Sequence, residues 1–180
     1  MEKFKIIKKI PVEGRNLHLL NQSFDQRRNE DDFGKTCGRI SSYHQHEQFK
    51  VTWPKYLLLP PVEIVIAITA DETDYSSYEA LHFMGENNGF GLTRDNLFMA
   101  WTLFYEDLKD FSSITTISNP KDLPMHLSYE DRRICPTLVI SQNENHQTYV
   151  DYDWNWCGKN ESYSKYCAFA FFQVKMSKFY

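Results

Sequence analysis

Two histidines at alternate positions, His44 and His46, followed by Glu47, are the first residues whose types and spacing could do chemistry. Alternate side chains of a strand point the same way, so the two imidazoles could occupy two positions of a tetrahedral zinc. No third ligand lies nearby, and Cys37 or His18 would have to be brought in from a distance. The same pair with His18 and a lysine could form a metal-independent ribonuclease, one imidazole acting as base and another as acid. A two-residue motif is better accounted for as exposed polar strand residues. The expectation is therefore no bound metal and no cofactor.

Carboxylates offer the next chemistry. Asp71, Glu72 and Asp74, or Asp151 and Asp153, could bind a hard cation or supply paired acids. Asp71-x-Thr73-x-Tyr75 departs from the calcium-loop pattern at its third and fifth positions, so that motif fails. Gly89-Phe90-Gly91 precedes a helical pattern but lacks both the G-x-G-x-x-G fingerprint and the Lys-Ser/Thr pair of a phosphate loop. The chain has no G-x-S-x-G elbow, and neither Cys37 nor Cys135 stands in a recognisable protease context. The catalytic readings end there.

What remains is charge. Glu30-Asp31-Asp32, Asp71-Glu72-Thr73-Asp74 and the pair Asp151 and Asp153, with Tyr149 beside it, suit a surface that meets a basic partner and anchors it with an aromatic ring. The expectation is a stoichiometric binding protein, most concretely an immunity or antitoxin-like inhibitor that neutralises a basic toxin nuclease. Its partner-binding residues would be Glu30, Asp31, Asp32, Asp71, Glu72, Asp74, Tyr149, Asp151 and Asp153. The alternatives are a small His-dependent nuclease or hydrolase and a structural or adaptor domain of a viral or bacterial assembly.

Composition narrows the field further. A formal net charge of -4 argues against general nucleic-acid binding, which needs lysine and arginine concentrated against phosphates. Short basic groups (Lys3, Lys5, Lys8 and Lys9; Arg27 and Arg28; Arg132 and Arg133) read as solvated surface. Residues 1–12 lack the apolar core of a secretion signal, and residues 56–70 are interrupted by Pro60, Pro61 and Glu63, so a cytoplasmic chain with no membrane span is expected. In such a compartment Cys37, Cys135, Cys157 and Cys167 read as free thiols, and the sequons at Asn21 and Asn160 are silent.

The elements that must position these residues follow from periodicity. Between Thr93 and Phe111, the residues Leu97, Trp101, Phe104, Leu108 and Phe111 recur on one helical face, with Thr93 as N-cap, and predict the main amphipathic helix. Val62 to Thr69, a nearly continuous β-branched run, predicts a central strand beneath it. Lys3 to Ile10 predicts an edge strand, Asn16 to Arg28 a short helix, and Thr36 to Trp53 a hairpin. Tyr78 to Met84 fits neither template, and Gly85 to Gly91 reads as a loop. Residues 112–136, with Pro120, Pro124 and Pro136, read as a long connection. Thr137 to Ser141, Gln147 to Trp156 and Tyr166 to Met176 predict a three-strand C-terminal meander, its middle strand alternating an apolar face with an acidic one. With no internal repeat and no linker, the expected fold is one α+β domain over 1–180. Its sheet, antiparallel or mixed, would have about five to seven strands.

Overall fold

A computed structural model describes residues 2–21, 58, 61–117, 134–142, 144, 148–156 and 162–174. Along the chain they form β1 (Phe4–Val12), α1 (Gly14–Leu20), β2 (Val62–Thr69), β3 (Tyr75–Ser76), α2 (Ser77–Glu86) and β4 (Gly89–Gly91). There follow α3 (Arg94–Leu103), α4 (Tyr105–Leu108), β5 (Ser113–Thr115), β6 (Ile134–Gln142), β7 (Thr148–Trp156), β8 (Ser162–Tyr163) and β9 (Cys167–Val174). Seven strands make one sheet in the order β1-β2-β9-β5-β6-β7, with β4 also paired to β9, while β3 and β8 form a separate two-stranded ribbon. Every pairing is antiparallel except β5 with β9. The fold class is α+β with a mixed, mostly antiparallel sheet, as the sequence implies.

β2 and β9 lie inside the sheet because they are apolar on both faces. Ile64 and Ile66 of β2, with Ala168, Ala170 and Phe172 of β9, pack under α3 in one core. Val65 and Ala67, with Cys167, Phe169 and Phe171, pack against Ala80 and Met84 of α2 in a second core on the other face. A strand buried on both sides loses the apolar-polar alternation of a half-exposed one, which explains the unbroken Val62–Thr69 run. β4 and β5 lie end to end along the same edge of β9, and Thr116 joins them: its hydroxyl accepts from Leu92 N at 2.7 Å and donates to Leu92 O at 3.2 Å.

Among the described residues β1 is an edge strand, and its imperfect alternation has a cause. A bulge between Ile6 and Lys8 shifts its register on β2, so Ile6 pairs with Ala67 while Ile10 pairs with Ile64. The shift sends Phe4 and Ile6 to the α2 side and Ile10 and Val12 to the α3 side.

The main helix buries most of the predicted stripe: Leu97, Trp101, Phe104 and Leu108, with Phe98 beside them, belong to the α3-side core, while Phe111 is only partly buried against it. It is nevertheless shorter than the sequence pattern suggests, because Phe104 (φ -124°, ψ 35°) breaks it into α3 and α4. Just before the break, the Thr102 hydroxyl donates to Met99 O at 2.9 Å, an i to i−3 bond of the kind that bends helices. Thr93 caps α3 as expected, in a reciprocal capping box with Asn96.

The predicted meander is only half formed. β6 and β7 pair along their whole length, but β9 leaves that hairpin and inserts between β2 and β5. Its Cys-Ala-Phe-Ala-Phe-Phe stretch is buried throughout, which a place beside the outermost strand could not provide. Tyr78 to Met84 lies within α2, and the Gly85 to Gly91 segment ends as strand β4. The connection from 112 begins with the short strand β5, and Pro136 lies inside β6, just beyond the Thr115 and Thr137 pairing that ends the β5 ladder. α1 ends at Leu20, and the predicted hairpin of residues 36–53 lies outside the described residues.

Candidate functional site

The acidic stretch after β2 is the one sequence-predicted site whose side chains are described. Ala70 N donates to Lys3 O at 2.8 Å, holding the exit of β2 against the start of β1. Asp71 then accepts from the Thr73 hydroxyl at 2.8 Å and from Thr73 N at 3.2 Å, closing an Asx turn. The Thr73 hydroxyl, followed by the Thr73 amide, holds the Asp71 carboxyl below the usual carboxylate range. Glu72 adopts a left-handed backbone (φ 57°), and its carboxylate lies 3.6 Å from Lys165 Nζ. Asp74 accepts from Lys165 N at 3.0 Å, and the paired residues Tyr75 and Tyr163 tie this loop to the turn that carries Lys165 and Tyr166. Two aromatic rings stand open on this surface: Tyr166 is 71% exposed with the Lys165 ammonium 5.0 Å from its ring centre, and Tyr78 is 59% exposed.

Helix α2 starts from the same loop. Ser76 and Glu79 form a capping box, in which Glu79 N donates to the Ser76 hydroxyl and Ser76 N donates to the Glu79 carboxylate at 2.8 Å. Glu79 also receives Lys3 Nζ at 2.6 Å, an ion pair that joins α2 to β1. The Lys3 ammonium is the first cause holding the Glu79 carboxyl below its ordinary range, and the Ser76 amide is the second.

Between β1 and α2 runs an open groove of about 930 Å³. Phe4, Ile6 and Phe83 supply its apolar lining, and Glu2, Lys3, Lys5, Glu79, His82 and Glu86 its polar rim, with Tyr78 also against it. His82 Nδ1 lies 3.4 Å from the Glu86 carboxylate along the helix. Groove and loop together carry six carboxylates (Glu2, Asp71, Glu72, Asp74, Glu79, Glu86) against three lysines (Lys3, Lys5, Lys165). Two of the lysines are already held by Glu79 and Glu72, so the surface is net negative.

Glu30, Asp31 and Asp32 lie outside the described residues, as do His44 and His46. Tyr149, Asp151 and Asp153 belong to β7, at the end of the sheet away from β1. In register, Asp153 pairs with Thr137, Thr137 with Thr115, Thr115 with Phe169, and Phe169 with Ala67 of β2. Four inter-strand steps separate β7 from β2, about 19 Å at the usual spacing. Among the described residues no group of three or more His, Cys, Asp or Glu side chains is placed to hold a metal ion. No helix among them is long and apolar enough to cross a membrane.

Sequence reading missed Lys3, Tyr78, Glu79, His82, Phe83 and Tyr166 as parts of one surface. One signal was available: Ser76-x-x-Glu79 is the sequence form of a capping box and marks the start of a helix. Comparison with protein-family models, curated proteins and solved structures finds no match, so the functional reading rests on this chain's own residues.

Proposed function

We propose that this protein works by binding a basic protein partner through the acid-rich, tyrosine-bearing surface around Asp71, Glu72, Asp74, Tyr78 and Tyr166. In its most concrete form it is a cytoplasmic immunity or antitoxin-like inhibitor of a basic toxin nuclease. One observation carries the reading: two large aromatic rings are left mostly exposed among carboxylates. Exposed tyrosines are favoured interface anchors, and surrounding like charge steers an oppositely charged partner toward them. Tyr149, Asp151 and Asp153 on β7 would form a further contact region, and Glu30, Asp31 and Asp32 would add to the acidic contacts.

Capture from the native host with the whole chain as bait, read by mass spectrometry, should yield a basic protein that binds one to one. If the captured protein is a nuclease, one equivalent of this chain should stop its cleavage. Glu72→Lys with Tyr166→Ala removes no buried contact and should weaken the complex at least about tenfold, the range for losing an aromatic anchor. A captured partner that is acidic, or a complex unchanged by that double variant, would refute the proposal.

A further inference from the structure

The start of β1 presents a strand edge and a groove side by side. Among the described residues β1 pairs only with β2. A strand paired on one side turns alternate N–H and C=O groups outward on the other. The residues that line the groove along this edge are Glu2 and Lys3, just before β1, and Phe4 to Ile6 at its start, all on the N-terminal side of the bulge. The bulge and Lys8 and Lys9 beyond it discourage pairing along the rest of the edge.

We infer that this groove takes an extended, basic segment of the partner, which adds as a short strand to the edge of β1 between Glu2 and Ile6. The inference rests on the binding reading above and names the form in which the partner engages. An added strand would lie about 4.8 Å from β1, with α2 as the wall on one side. Its alternate side chains would point toward α2, where the apolar stems of lysine or arginine can lie on Ile6 and Phe83. The charged ends then reach the rim. Glu79 already holds Lys3, which leaves Glu2 and Glu86, the latter 3.4 Å from His82 Nδ1, against the lysine Lys5. That surplus of carboxylate selects a basic segment over an acidic one.

The test uses the whole protein and a short peptide alternating lysine and valine. Hydrogen exchange should slow at the outward-facing amides between Glu2 and Ile6 when this peptide binds. The same peptide N-methylated along its pairing edge should bind about tenfold more weakly, because its methylated amides can no longer donate to the carbonyls of the β1 edge. A glutamate-valine peptide should bind more weakly still, and Glu86→Lys should reduce affinity for the lysine peptide several-fold. Equal binding of the N-methylated peptide, or protection elsewhere than in β1, would overturn strand addition. Protection of these amides in a dimer without peptide would overturn it as well, by giving the edge to a second copy. If methylation has no effect but the lysine peptide still binds better than the glutamate one, strand addition fails while the charge-based reading stands. Equal binding of the two charge types would remove both.

Discussion

Gly89→Ala should destabilise the protein through a contact that can be named atom by atom. Gly89 opens β4 directly after α2, and a Cβ placed there would lie 2.3 Å from Phe171 Cδ2, 2.6 Å from Phe171 Cε2 and 3.0 Å from Met84 O. Phe171 is fully buried, stacked 6.0 Å from Phe169 and edge-on to Phe83, so its ring has little room to swing away. Overpacking a close-packed core costs about 1 to 3 kcal/mol, and the short distances put this case toward the upper end. The less flexible unfolded chain returns about 0.4 to 1 kcal/mol. The net expectation is a loss of about 2 kcal/mol, or roughly 4 to 8 °C in Tm for a chain of this size. Urea and thermal unfolding should be measured in a double-mutant cycle with Phe171→Val, which removes both offending ring carbons. In that background Gly89→Ala should be close to neutral. An unchanged Tm in the single variant, or the same loss in both backgrounds, would refute the packing of α2 and β4 on β9 that forms one wall of the groove.

Trp101→Ala should cost about 3 to 5 kcal/mol, because Trp101 is fully buried beneath α3, and a variant that unfolds in urea like the parent would contradict that core. The Glu79 carboxyl is held below its unfolded value of 4.5, so its stabilisation is complete above that pH and disappears as pH falls through the lower folded value. Glu79→Gln should accordingly flatten the acid limb of stability against pH, as read by urea midpoints from about pH 6 downward, and an unaltered limb would contradict the Lys3 pairing. Ser76→Ala removes the N-cap of α2 and should cost about 1 kcal/mol by the same urea assay. Purified protein should carry no stoichiometric zinc, and elemental analysis finding one zinc per chain that His44→Ala with His46→Ala abolishes would restore the metal reading.

Local patterns made the strand at Val62–Thr69 and the buried stripe of the main helix legible, because burial on both faces and burial on one helical face leave different periodicities. The break at Phe104 was not legible, since the stripe of Leu97, Trp101, Phe104 and Leu108 continues across it while a side-chain bond from Thr102 accompanies the change in backbone. The position of β9 escaped for a related reason: adjacency in sequence favours a meander, whereas its two apolar faces require a central position. In β1, Phe4, Ile6 and Ile10 share one parity along the chain, and only the register on β2 reveals the bulge that sends them to different faces. The acidic run at 71–74 was visible in sequence, but Lys165 and Tyr166 reach it from far along the chain. The groove itself is assembled from residues 2–6 and 78–87, a juxtaposition created by the packing of α2 on the sheet.

The central claim is that charge around exposed tyrosines binds a basic protein, and it is tested most directly by the affinity of the complex as a function of salt. From about 0.01 M to about 1 M salt the Debye length falls from about 30 Å to about 3 Å, so attraction between separated surface charges is nearly extinguished. The complex with the captured partner should weaken steadily across that range, and Glu72→Lys should weaken it more at the low-salt end than at the high-salt end. An affinity that ignores salt and this charge reversal alike would contradict the claim.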